Sequence, residues 1–299
     1  MTTTDAFEAE RAHLLGLAYR MLGEMAAAED IVQEAWIKWS GTDRDQIRDA
    51  HAWLSTVTIR LALDALRSAR SRREVYVGPW LPEPLLPDDT RAFAADAPAA
   101  RAELASDLSL ALLFVLERLS PEERAAFILH DAFDCDYATI AAMLEKSEPA
   151  CRKLVSRARE SVRQDRPKQS VSNDQHRDLL ARFAQATMTQ NADALAQLFA
   201  PDIVFYSDGG GVVAAALNPI FGADKVQRFI LGLIRKFTDA ARTNFLPIEV
   251  NGRPGVVLVL DDQIHSVLDI ETDGERITSA FLVRNPEKLA RFERARALG

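Results

Sequence analysis

Five prolines, Pro79, Pro82, Pro84, Pro87 and Pro98, fall within 21 residues that begin at Gly78. Proline lacks an amide donor, and its ring collides with the preceding helical turn, so no continuous helix runs through this stretch. Residues 75–105 are therefore expected as an extended linker, acidic at Asp88, Asp89 and Asp96. Any core must form on either side of it. With 299 residues the chain has material for two or three domains. One part of the linker, Trp80-Leu81-Pro82-Glu83-Pro84-Leu85-Leu86, is too apolar for a solvated tether and is expected to dock on the protein.

Before the linker, residues 1–74 are helical in pattern. Leu14, Leu17, Met21 and Met25 repeat at helical spacing, as do Ala28, Val32, Ala35 and Trp39, then Leu54, Val57, Leu61 and Ala65. After it, residues 106–168 are helical again. Ser120-Pro121-Glu122-Glu123 carries a cap, a first-turn proline and the glutamate of a capping box. A short helix from Asp136 to Leu144, a turn at Glu145-Lys146-Ser147 and a longer helix from Glu148 to Arg163 have the outline of a helix-turn-helix. Residues 169–299 differ in character. Helices are expected at Arg177–Phe199 and Lys225–Phe237, and strands at 203–206, 245–250, 256–260, 264–270 and 277–283. Asn251-Gly252 and Asp273-Gly274 are hairpin signals between these runs. The fold class is multidomain: two all-α domains, the second a helix-turn-helix, followed by an α+β domain.

A net charge of −8 opposes phosphate binding by the molecule as a whole, but the charge is unevenly spread. Arg67, Arg70, Arg72 and Arg73 lie within seven residues, and Arg152 to Lys168 forms a second basic run. Two basic patches on an acidic body suit a protein that binds DNA within a larger complex. The two cysteines, Cys135 and Cys151, fit neither a disulfide framework nor a cysteine zinc site. No signal peptide or membrane-length apolar run is present, so a reduced, cytoplasmic protein is expected, without membrane association, metal or cofactor.

On a helical wheel, Cys151, Leu154, Val155, Ala158 and Val162 form one apolar stripe. Arg152, Ser156, Arg159 and Arg163 lie beside it, with Lys153 and Arg157 further round. A recognition helix needs this division: one side packs, and the other offers guanidinium forks and small polar groups to bases and phosphates. A solvated basic face on a structural helix has the same pattern, and the short helix and turn before it favour DNA. Near the N-terminus, Asp30, Gln33 and Glu34 share an exposed helical side. Trp53 and the arginines from Arg60 to Arg73 could stack on and hold unpaired DNA, or Trp53 could belong to the core.

These residues resemble the extracytoplasmic-function sigma factors. Leu22–Trp39, with its Ala-Glu-Asp-x-x-Gln-Glu core, is similar to the part of region two that grips RNA polymerase. Trp53-Leu54 through Asp64 and Arg67 is similar to the part that melts and reads the minus-ten promoter element. Leu116–Arg124 with the unit from Asp136 to Arg163 is similar to region four, which in the family reads the minus-thirty-five element. Thr58-Ile59-Arg60 departs from the Ala-Arg-Asn of typical members. It matches a subgroup that carries a SnoaL-like domain after region four.

Three signatures of that subgroup are present. They are Trp80-Leu81-Pro82-Glu83-Pro84, Asp208-Gly209-Gly210-Gly211, and Asn285-Pro286-Glu287-Lys288-Leu289. The resemblance implies polymerase contact by Asp30, Gln33 and Glu34, and promoter contact by Trp53, Arg60, Arg67, Arg70, Arg72, Arg73, Arg152, Lys153, Ser156, Arg157 and Arg159. It implies a cone-shaped α+β barrel at about 175–294 that regulates the other domains. Core RNA polymerase and promoter DNA are the implied partners, with an unidentified small-molecule ligand of the last domain as a further one.

The glycine-rich segment has two readings, a tight hairpin or a bare surface that receives the apolar linker. Asn285 and Pro286 are expected to start a terminal helix. Two other functional classes remain open: a dimeric helix-turn-helix regulator acting without polymerase, and an enzyme using His265 and Asp269, which share a strand face at a spacing of four. Catalysis is not the expectation, because a fold does not carry a function with it.

Overall fold

A computed structural model of the chain describes residues 3–43, 47–73, 75–93, 108–165, 171–237 and 242–298. Two compact units divide it. The first comprises Met1–Val75, Asp88–Leu108 and Leu112–Asp165, and the second comprises Tyr76–Pro87, Ser109–Ala111 and Arg166–Gly299. Among the described residues, no helix is long and apolar enough to cross a membrane. The fold class expected from the sequence is borne out, with helical regions followed by a sheet-containing domain.

In the first unit, α1 (Thr3–Leu22), α2 (Met25–Ser40) and α3 (Ala50–Arg73) pack around Leu14, Val32, Ala35, Trp39 and Leu54, all nearly inaccessible to solvent. Gly23, at a positive φ of 71°, makes the sharp turn from α1 to α2, a conformation in which a side chain would be strained. The linker is not wholly extended. Pro87–Phe93 forms α4, with Pro87 at its first position and Asp88 and Asp89 in its first turn. Proline interrupts a helix from within but fits its start, and the two carboxylates complement the dipole there.

After α5 (Leu110–Leu116) comes α6 (Pro121–Phe127), which starts in a complete capping box between Ser120 and Glu123. One π-helical turn, Ile128–Ala132, continues it. Arg124 is 1% exposed. Its Nε donates to the Arg20 carbonyl at 3.0 Å, and its Nη1 pairs with Glu117. Neutralised and hydrogen-bonded in this way, a buried guanidinium ties α6 to the end of α1. Next are α7 (Tyr137–Leu144), capped by Asp136, and α8 (Glu148–Asp165).

In the second unit, α9 (Asn173–Met188) and α10 (Ala192–Leu198) replace the single helix expected from Arg177 to Phe199. Gln190, at φ 50°, ends the first, and the Asn191 side chain caps the second. Phe199 then opens β1 (Phe199–Asp208), which is longer than the expected strand. The remaining elements are β2 (Ile220–Phe221), α11 (Ala223–Phe237), β3 (Thr243–Val250), β4 (Arg253–Leu260), β5 (Gln263–Thr272), β6 (Ile277–Val283) and α12 (Pro286–Leu298). The six strands form one sheet in the order β2-β1-β6-β5-β4-β3, with β1 and β6 parallel and every other pair antiparallel. Helices α9 to α11 cover one face around Phe183, Leu195, Phe205, Ile230, Leu268 and Ile270.

Candidate functional site

Helix α8 divides as its wheel predicts. Cys151, Val155, Ala158 and Val162 are at most 5% exposed, whereas Arg152, Lys153, Ser156, Arg157 and Arg159 all face solvent. The turn before it is built for a close approach. Glu145 takes the left-handed conformation at φ 54°, the Lys146 amide returns to the Ala141 carbonyl at 3.0 Å, and Ser147 caps α8 through the Ala150 amide. At the start of α7, the Thr139 amide donates to Asp136 at 2.7 Å, and hydrogen bonding from the Thr139 side chain, then from its amide, holds this carboxyl below the usual range.

Not all the basic groups are equally available. Arg159 forks onto Asp131 at 2.6 and 2.9 Å, and this pairing raises its pKa further. Arg152 reaches Glu148 at 3.0 Å and lies 5.0 Å above the Tyr137 ring. Arg157 is only 4.0 Å from Glu123 at its nearest, with most of its side chain exposed.

On α3, the two described arginines are engaged within the same unit. Arg60 donates to the carbonyls of Met143 and Ala142 at 3.2 and 3.3 Å and pairs with Glu145 at 3.0 Å. Arg67 holds Glu122 at 2.7 Å and Asp64 at 3.1 Å. The Arg67–Glu122 bond raises the arginine pKa and lowers that of the glutamate. Trp53 is half-buried, with its ring 5.5 Å from Trp39, so it packs against the core. The side chains of Arg70, Arg72 and Arg73 lie outside the described ones.

Helix α2 exposes Asp30, Gln33 and Glu34 together, while Val32 and Ala35 point inward. Sequence reasoning missed Ile37. It stands 60% exposed one turn beyond Gln33 and Glu34, an apolar group amid charge.

In the second unit the three signature segments meet at Asp208. This carboxylate is fully buried at the end of β1. Its Oδ1 accepts from the Tyr76 hydroxyl at 2.6 Å and the Gly210 amide at 3.0 Å. Its Oδ2 accepts from the Leu81 amide at 2.9 Å and Lys288 Nζ at 2.7 Å. Lys288 also donates to the Leu81 carbonyl at 2.5 Å and lies 4.1 Å above the Trp80 ring. Asn285 donates to the Tyr76 hydroxyl at 3.0 Å and caps α12 through the Glu287 amide. Gly210 has φ 66°, and a Cβ there would fall 2.6 Å from the Asn285 side chain. The glycines thus provide both the turn and the bare surface.

From Leu81 to Leu85, including Pro82, Glu83 and Pro84, the linker is buried. The next anchor, also missed in the sequence, is Asn251. Its Oδ1 accepts the Leu85 amide at 2.9 Å, and its own amide returns to the Leu85 carbonyl at 3.2 Å. Leu289 is buried beside Lys288, and Pro286 and Glu287 face outward.

His265 and Asp269 are not brought together. Leu258 pairs with Ser266 and Val259 with Ile264, so His265 is an extra residue in a β-bulge. The bulge puts both His265 and Ser266 on a cavity that Asp269 does not line. Asp269 is instead fully buried near Arg253 and Glu271, and burial pushes its pKa up to about 7. Burial, with Arg284 adding to it, lowers His265 to about 4.

Residues 6–72 match the family model "Sigma-70 region 2", and residues 109–162 match "Sigma-70, region 4". The chain is 45% identical over 232 residues to the ECF RNA polymerase sigma factor SigJ of Mycobacterium tuberculosis, covering 77% of this chain and 73% of that protein. It is 33% identical over 287 residues to the probable ECF RNA polymerase sigma factor SigI of the same species, covering 95% and 93%. The crystal structure of M. tuberculosis SigJ superimposes with a TM-score of 0.75 at 36% identity, over 96% of this chain and 98% of that one.

Proposed function

Given that the chain belongs to the extracytoplasmic-function RNA polymerase sigma factors, we propose how its parts divide the work of initiation. Residues 1–74 bind core polymerase through Asp30, Gln33, Glu34 and the adjoining Ile37. They engage the melted minus-ten region through Arg60, Arg67, Arg70, Arg72 and Arg73, with Trp53 at the other end of α3. Residues 106–168 read the upstream element through Arg152, Lys153, Ser156, Arg157 and Arg159, and residues 75–105 are the linker. Residues 169–299 are a regulatory domain in cis, without catalysis, and the route by which a small molecule acts. The place of action is the cytoplasm, with the polymerase.

One observation carries this reading. The basic row of α8 stands exposed over an apolar stripe buried at Cys151, Val155, Ala158 and Val162, with Leu154 half-buried, directly after a tight turn from a capped short helix. Support for regulation comes from the linker, whose backbone is held at Asp208 and Asn251. A segment fixed there sets the reach left to the chain on either side, and only some reaches suit a promoter. Arg60 and Arg67 add a second point. Their guanidinium groups are taken up by carbonyls and carboxylates of the region-four match, so this arrangement must open before α3 can hold DNA.

In vitro transcription with bacterial core polymerase and a promoter library tests the proposal. New start sites that vanish with Arg152→Ala plus Lys153→Ala are expected. Failure to bind core or initiate, with the full chain and after removal of residues 175–299, would leave a conventional operator-binding regulator in its place.

A further inference from the structure

Just before the helix-turn-helix, one turn of backbone departs from α geometry. Ile128–Ala132, which prolongs α6, is π-helical. Single π turns within α-helices often mark functional positions. This one supplies His130 and Asp131, and the chain after it is tied back onto it. Asp134 takes the left-handed conformation at φ 49°, and the Cys135 amide donates to the Leu129 carbonyl at 2.9 Å. His130 Nδ1 meets the Cys135 carbonyl at 3.1 Å, and because a carbonyl only accepts, Nδ1 is the donor. The closed loop delivers Tyr137, the first residue of α7, with its ring centroid 4.5 Å from that of His130.

Over the same Tyr137 ring lies the Arg152 guanidinium, its central carbon 5.0 Å from the centroid. Arg152 stands in the second turn of α8 with 59% of its side chain exposed, and its Nη2 reaches Glu148 at 3.0 Å. A long exposed side chain samples many rotamers, and binding has to freeze them. The ring and the carboxylate narrow that choice beforehand. A cation–π contact needs no acceptor, so the N–H donors that Glu148 leaves are available to a base edge or a phosphate. Asp131, next to His130 in the π-helical turn, forks onto Arg159 at 2.6 and 2.9 Å. The turn thus acts on α8 directly at Arg159 and, through Tyr137, at Arg152.

We propose that Tyr137 is a positioning residue for promoter recognition: braced by the π-helical turn, it holds the Arg152 guanidinium in the orientation that meets upstream DNA. This rests on the reading of Arg152 as a DNA contact and adds a residue of the preceding helix that acts through it.

The test uses the complex of the full chain with core polymerase, on a promoter at which it initiates, and measures affinity for the upstream element. Tyr137→Leu should weaken binding by about two- to fivefold, the scale of an exposed cation–π contact, with its thermal midpoint kept. Tyr137→Met, which has similar reach, takes its place should the leucine variant be destabilised. Tyr137→Phe keeps the ring and should restore binding. In an Arg152→Ala background Tyr137→Leu should cost nothing further, whereas beside Lys153→Ala its loss should be undiminished. Full binding by folded Tyr137→Leu, or an equal loss in the Arg152→Ala background, would overturn the positioning role. Arg152→Ala without loss would remove the DNA contact itself, and the proposal with it.

Discussion

Lys288 Nζ lies 2.7 Å from Asp208 Oδ2, and the two side chains are 5% and 0% exposed. An ion pair this deeply buried is a fastening as much as a source of stability. Its own net contribution is small after desolvation, but removing one partner strands the other charge. Asp208→Ala is therefore expected to cost about 3–5 kcal/mol. It should also release the Tyr76 hydroxyl and the Leu81 amide at once. Chemical denaturation followed by near-ultraviolet circular dichroism checks the cost. Asp208→Asn/Lys288→Met, which leaves no orphan charge, should recover part of it; a double variant as unstable as Asp208→Ala would show that the pair is not what holds the linker.

Removing the two exposed cations at the start of α8 should affect DNA and little else. Surface substitutions away from packing change stability by less than about 0.5 kcal/mol. Every cation withdrawn from a phosphate flattens the dependence of log K on log salt by about 0.9. Arg152→Ala/Lys153→Ala should thus keep its thermal midpoint, weaken binding of upstream promoter DNA by the polymerase complex, and reduce the salt slope by about 2 if both touch phosphate. A weakened complex with an unchanged slope would instead assign these residues to base edges.

The legibility of the sequence followed from what each signal depends on. Helix faces were readable because burial repeats with the helical period, as Cys151, Val155 and Ala158 do. Docking of the linker on the glycine-rich segment was one of two readings of the bare glycines, and the joining of Lys288 and Asn285 to that meeting was not anticipated. No periodicity links Tyr76, Asp208 and Lys288, which are joined by folding across 132 and 80 residues. His265 was misread because a strand was assumed to alternate strictly, and one inserted residue reverses the face of everything before it. The short hairpin at Asp261-Asp262, with φ 48° and 62°, escaped notice because it lacks glycine. The engagement of Arg60 and Arg67 was hidden for a different reason. Basic residues mark what a surface can bind and leave open which acceptor holds it.

Arg67 and Glu122 are partly exposed, so their pair contributes no more than about 1 kcal/mol, and the same holds for Arg60 with Glu145. Such weak pairings suit an arrangement that has to open. Glu122→Gln/Glu145→Gln should remove one ion pair from each guanidinium, leaving Arg60 on the Met143 and Ala142 carbonyls and Arg67 on Asp64, and raise promoter melting by up to about fivefold for each pair released. Permanganate reactivity of unpaired thymines in the polymerase complex measures this. An unchanged or lower reactivity, in a variant that still binds core, would mean that these ion pairs do not oppose opening.

Asp269 offers a test by pH, and its sign can be worked out. Its folded pKa is about 7 against 3.8 for the free side chain, because burial disfavours the anion more than Arg253 favours it. The folded protein therefore binds the proton more tightly than the unfolded chain. The stability this contributes is fully present below pH 3.8 and is lost as pH rises through about 7. Asp269→Asn keeps the shape and the acceptor for the Ile270 amide without ionising. Relative to the wild type it should gain up to about 1.4 kcal/mol per pH unit within that window and nothing more above it. Denaturation midpoints at pH 5, 7 and 9 would show the variant's advantage growing between the first two and levelling after. An advantage independent of pH would mean that Asp269 is already charged in the folded protein, held by Arg253 despite its burial.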